Sequence, residues 1–101
     1  MTILDKIVLR KKEEVALAKA RVSIAQLESR EAFKRPVFSL REFLLDPART
    51  GIIAEFKRRS PSKGTINDRV SVEEVTTGYA AAGASALSVL TDNDFFGGSP
   101  A

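Results

Sequence analysis

The sequence predicts an α/β protein, a helical front followed by a parallel βαβ unit, and three observations carry that prediction. Two apolar runs of strand length, Ile52–Phe56 and Ala86–Thr91, are each followed by a polar, glycine-containing loop. Between them Ser71-Val-Glu-Glu74 opens a helical pattern, with Val72, Val75, Tyr79 and Ala82 on one stripe. Ahead of the first run, three further segments begin with helix-capping signals. A strand, a helix and a second strand in that order make a βαβ unit, whose strands should pair in parallel through a right-handed crossover.

The helical front comes first. Thr2-Ile-Leu-Asp5 has capping-box form, and a helix over about residues 3–20 follows, with Ile3, Leu4, Ile7, Val8, Val15 and Ala18 as an uneven apolar stripe. Lys6, Arg10, Lys11, Lys12, Glu13, Glu14 and Lys19 cover the remainder, and a solvated face explains them better than a membrane or nucleic-acid contact, because aromatic anchors are missing. Ser23-Ile-Ala-Gln26 is a second box and predicts a short helix running to Phe33, before Pro36 breaks the chain. Ser39-Leu-Arg-Glu42 is a third, with Leu40, Phe43 and Leu44 on one face and Pro47 closing the segment. In the βαβ part, Gly83 falls where a left-handed helix C-cap belongs. Gly78 lies inside its helix at a cost of about 1 kcal/mol against alanine, which close packing would explain.

Composition bounds the chemistry. With 101 residues, 44% of them hydrophobic, the chain has the size of one small domain with a modest core. A net charge of +3 suits an anionic small molecule and does not by itself argue for nucleic acid. The sequence has no cysteine and no histidine, so thiolate chemistry, Ser-His and Cys-His nucleophilic sites and zinc sites are excluded within it. Acid–base work falls to carboxylates, lysines or Tyr79. No run has signal-peptide or membrane-spanning form, so a cytoplasmic protein is expected.

The chemistry-bearing stretch is Gly51–Gly64, GIIAEFKRRSPSKG. Ile52, Ile53, Ala54 and Phe56 read as a buried strand. Glu55 and Lys57, two apart, share one face and lie about 7 Å apart along it. Burying an acid beside a base is costly unless they pair, serve a reaction, or sit at a wet strand end. On pattern alone a structural ion pair and an acid–base site are equally good readings. Ser60, Pro61, Ser62, Lys63 and Gly64 then form a small-residue loop that suits an anion, although on pattern alone ordinary turn roles account for Ser60, Ser62 and Gly64 better than ligand contacts do. The loop has no Walker A pattern. Arg58, Arg59 and Lys63 read as solvated loop charges, and Tyr79 as a core residue of its helix.

IIAEFKRRSPSKG followed by GASALSVLTDNDFFGGSP closely resembles the indole-3-glycerol-phosphate synthase family of tryptophan biosynthesis. The front, from ILDKIVLRKKEEV through SLREFL, resembles the extra helices that precede the barrel in that family, so the likeness covers essentially the whole chain. The resemblance implies the N-terminal part of a (β/α)₈ TIM barrel, with residues 1–48 as a helical extension and 49–101 as the first βα unit and second strand. It implies ring closure and decarboxylation of 1-(2-carboxyphenylamino)-1-deoxyribulose 5-phosphate, with no metal and no organic cofactor. By motif, Glu55 and Lys57 match catalytic residues of the first strand, and Ser60 matches the serine of its loop. Phe96 matches an aromatic residue packed on the substrate, while Ser88 and Leu90 match pocket-lining positions of the second strand. The family's third-strand lysine and its later phosphate-binding loops have no counterpart here, so residues 1–101 alone are expected to be inactive and to self-associate through exposed sheet edges. The competing reading is a non-catalytic helical and βαβ module that binds an acidic partner. Its nucleic-acid version lacks a recognised binding signature and has few aromatic residues to stack on bases.

Overall fold

The computed structural model describes residues 1–100 and divides into two compact units, Met1–Val37 and a second that begins at Phe38. In the first unit α1 spans Ile3–Arg21. Its capping box is complete: the Thr2 hydroxyl accepts from the Asp5 amide and the Asp5 carboxylate accepts from the Thr2 amide. Those bonds, the backbone one foremost, hold the Asp5 carboxyl below its ordinary pKa. No α1 residue is buried, and the helix is laced by Arg10–Glu13 at 3.1 Å, Arg10–Glu14 at 3.6 Å and Lys11–Glu14 at 2.6 Å. These pairs run along its charged face.

The second capped segment differs from expectation. Ser23 and Gln26 form their reciprocal box, but α2 covers only Ile24–Glu28. The Ser29 hydroxyl donates to the Gln26 carbonyl at 2.7 Å, Arg30 turns extended, and Glu31–Lys34 continues as a separate 3₁₀ turn. A serine side chain that satisfies a carbonyl in the last turn competes with helix propagation. This is why the helix stops before Phe33.

The second unit opens with α3, Leu40–Leu45, capped by Ser39, whose hydroxyl accepts from the Glu42 amide. Strand β1, Ile53–Phe56, is followed by a two-residue antiparallel hairpin, β2 Arg59–Ser60 with β3 Gly64–Thr65. Helix α4, Val72–Ala81, then leads to β4, Ala86–Val89. The expected parallel pairing is present, in the register Ile53↔Ala86 to Phe56↔Val89, and α4 packs on both strands. Gly83, at φ 97°, ends α4 in a Schellman motif: its amide donates to Ala80 and that of Ala84 to Tyr79. Behind the strands, Thr50 donates to the Gly83 carbonyl, and the Gly51 amide donates to the buried Ser85 hydroxyl.

Two expectations about burial are corrected. Strand β1 is not buried on both faces: Phe56 is, at 6% exposure, but Ile52 and Ile53 are more than half exposed. Its face is covered by α4 and its edge by β4, which leaves the Ile53 side open. Gly78 is not forced by close packing either, because among the described residues a Cβ there would meet nothing within 4 Å beyond its own helix backbone, and the residue is exposed. Gly78→Ala is therefore expected to stabilise the protein by about 1 kcal/mol in denaturant unfolding, from helix propensity alone. A destabilised variant would show that this position meets a neighbour after all.

Candidate active site

Because β1 and β4 are parallel, the loops that follow them leave the same edge of the sheet. Glu55 is registered against Ser88 across the pair. The Ser88 hydroxyl donates to Glu55 Oε2 at 2.9 Å, while Lys57 Nζ lies 3.7 Å from Glu55 Oε1. One carboxylate thus holds a hydroxyl and an ammonium, one on each oxygen. The Tyr79 hydroxyl reaches the Glu55 backbone carbonyl at 3.4 Å, so this half-buried helix residue is tied to the strand by more than packing.

The Glu55–Lys57 pair is wet: the side chains retain 45% and 40% of their exposure. The two charges both pair with each other and sit at a solvated strand end, either of which makes such an acid and base tolerable. Such an exposed pair contributes about 0–1 kcal/mol, too little for stability to be its reason. What remains is a carboxylate and an ammonium held side by side where a solute can reach both.

The other expected residues divide. Ser88 joins Glu55 directly. Leu90, half-buried just beyond β4, extends the ladder through its amide, which donates to the Phe56 carbonyl at 3.1 Å. Ser60 is buried and turned into its own loop: its hydroxyl accepts from the Lys63 amide at 3.2 Å and lies 3.4 Å from the Ser62 hydroxyl. No hydrogen bond joins it to Glu55 or Lys57 among the described residues. Phe96 is half-buried in the β4 loop, and its carbonyl accepts from the Arg59 amide at 3.4 Å.

Two of the three loop cations make specific contacts as well as meeting solvent. The Arg58 guanidinium lies 5.3 Å from the centre of the Phe56 ring and donates to the Val70 carbonyl at 2.8 Å. Arg59 reaches the β4 loop, donating to the carbonyls of Asn93 and Asp94, each at 2.9 Å. Neither link, nor the β2–β3 hairpin that sets up the second, has a signature in hydrophobic spacing. The β4 loop closes on itself: the Gly98 amide donates to the Asp92 carbonyl, and a Cβ on Gly98 would land on the Leu90 carbonyl. Among the described residues no cluster of three or more carboxylates stands ready for a metal ion, and no helix is long and apolar enough to cross a membrane.

The family model of indole-3-glycerol phosphate synthase matches residues 4–101, a stretch that includes both strands and both loops. The chain belongs to the indole-3-glycerol phosphate synthase family. Among curated relatives of that name, a protein of Bacteroides thetaiotaomicron is 50% identical over 98 residues, covering 96% of this chain and 37% of its own length. One of Carboxydothermus hydrogenoformans is 40% identical over 103 residues, covering 96% of this chain and 39% of its own. The chain thus spans somewhat over a third of the length of these indole-3-glycerol phosphate synthases. The resemblance read from the two strand-and-loop motifs is borne out, and with it an α/β fragment of this family containing a parallel sheet.

Proposed function

We propose that the complete gene product containing these residues is an indole-3-glycerol-phosphate synthase. It would close the ring of 1-(2-carboxyphenylamino)-1-deoxyribulose 5-phosphate to indole-3-glycerol phosphate, with loss of carbon dioxide and water. The observation that carries this reading is the solvated Glu55–Lys57 pair, with Ser88 on the second carboxylate oxygen, at the loop-bearing edge of a parallel sheet in a chain of this family. Ligands of parallel α/β folds sit at that edge.

The reaction forms a carbon–carbon bond at a carbonyl carbon, so the carbonyl oxygen must be protonated, a cationic intermediate stabilised, and a hydroxyl removed as water. Glu55 is the group suited to moving protons and facing positive charge, and Lys57 to holding an anionic group of the substrate. Ser88 would orient the Glu55 carboxylate. Ser60, Leu90 and Phe96 complete the proposed substrate-binding set, with Ser60 acting through the shape of its loop. The same reading takes residues 1–48 as a helical extension and 49–101 as the start of a (β/α)₈ barrel working in the cytoplasm on an anionic small molecule, without nucleic acid or membrane.

The test is direct. Complete gene product incubated with the carboxyphenylamino substrate is expected to release carbon dioxide and develop indole fluorescence; failure to do either would contradict the assignment. Residues 1–101 alone are expected to give no product and to self-associate through the open edges of β1 and β4, because the proposed groups must converge with others that this stretch does not contain.

A further inference from the structure

Arg59 binds the two loops of the sheet edge to each other. Its amide donates to the Phe96 carbonyl at 3.4 Å, and its guanidinium donates to two successive carbonyls, Asn93 and Asp94, at 2.9 Å each. Its stem lies over Gly97, where a Cβ would come within 3.2 Å of the arginine Cγ and Nε. Gly97 also stands at φ 66°, a backbone conformation that side-chain-bearing residues rarely adopt, so any other residue there would be strained as well as crowd the arginine stem. One residue of the β1 loop therefore contacts three positions of the β4 loop and approaches a fourth, on either side of Phe95.

We propose that Arg59 is a positioning residue that clips the β4 loop onto the β1 loop and thereby fixes Phe96 over the end of the sheet. A guanidinium suits this task, since one terminal nitrogen, Nη2, carries two N–H donors and meets both carbonyls. The acceptors are main-chain atoms, so the clip fixes backbone position rather than reading side chains. Its consequence for substrate binding rests on the synthase reading; the clip itself does not.

The test uses the complete gene product with Arg59→Met, which keeps a stem against Gly97 and removes every side-chain donor, and Arg59→Lys, which restores a charged donor. Amide exchange at Phe95, Gly97 and Gly98, all hydrogen-bonded within the loop, is expected to quicken about tenfold in the methionine variant, as loss of both guanidinium bonds allows. β1 and β4 amides should exchange as in wild type. KM should rise about tenfold with kcat within about twofold, and lysine should recover most of both effects. Unchanged exchange in the loop overturns the clip, as does faster exchange spread over both strands, which would mark general destabilisation. Faster loop exchange with wild-type KM overturns the positioning of Phe96 for substrate. If the wild type itself makes no product, the synthase reading fails, and loop exchange alone then decides the clip.

Discussion

Glu55→Gln in the complete gene product is expected to lower kcat about 10³-fold while moving KM by no more than about threefold, the range associated with losing a positioned acid–base group. The amide keeps the shape of the carboxylate, and its oxygen can still accept from the Ser88 hydroxyl, now 2.9 Å from Oε2. What is lost is the charge and the ability to exchange a proton. The ion pair with Lys57 is lost too, but at 45% and 40% side-chain exposure it contributes about 0–1 kcal/mol, so stability should barely change. Unfolding midpoint and turnover should therefore separate. A variant that binds substrate poorly yet turns over normally would assign Glu55 to binding rather than to proton transfer.

Lys57→Ala should behave differently. An ammonium that meets an anionic group present both in the bound substrate and in the transition state affects binding and turnover together, so KM rises, kcat falls, and kcat/KM drops about 10²-fold. The partner left behind, Glu55, keeps the Ser88 hydroxyl on Oε2. The contact also carries an ionic-strength signature. Added salt should raise KM for the wild type more than for the alanine variant. Parallel salt responses would remove Lys57 from the anion contact, whatever the size of the kinetic loss.

Local chemistry was the most legible part of this chain. Ser39 and Ser71 cap their helices, Thr2 and Ser23 form complete capping boxes, and Gly83 takes the left-handed C-cap conformation, because each depends on residues a few positions apart. The parallel pairing of β1 with β4 followed from element order alone. The Ser88–Glu55 bond needed the register between two strands, which the spacing of apolar residues leaves open. Long-range contacts made by exposed arginines were the least legible. Arg58 and Arg59 look like any solvated pair in a loop, and only the meeting of two loops gives Arg59 its carbonyl partners. Burial was overestimated at Ile52 and Ile53 for a related reason: an apolar run records what a strand can bury, whereas exposure depends on what covers it. Gly78 is a parallel case, its lack of a side chain answering to no neighbour among the described residues.

The measurement that bears most directly on the site is turnover of the carboxyphenylamino substrate by complete gene product carrying Glu55→Gln and Lys57→Ala together. If the two side chains serve one reaction centre, their losses are not independent, and the double variant should fall to within about tenfold of the slower single variant, far below wild type. An unfolding midpoint close to wild type in the same preparation would tie that loss to chemistry. A folded double variant that turns over at more than about a tenth of the wild-type rate would contradict a catalytic role for the pair.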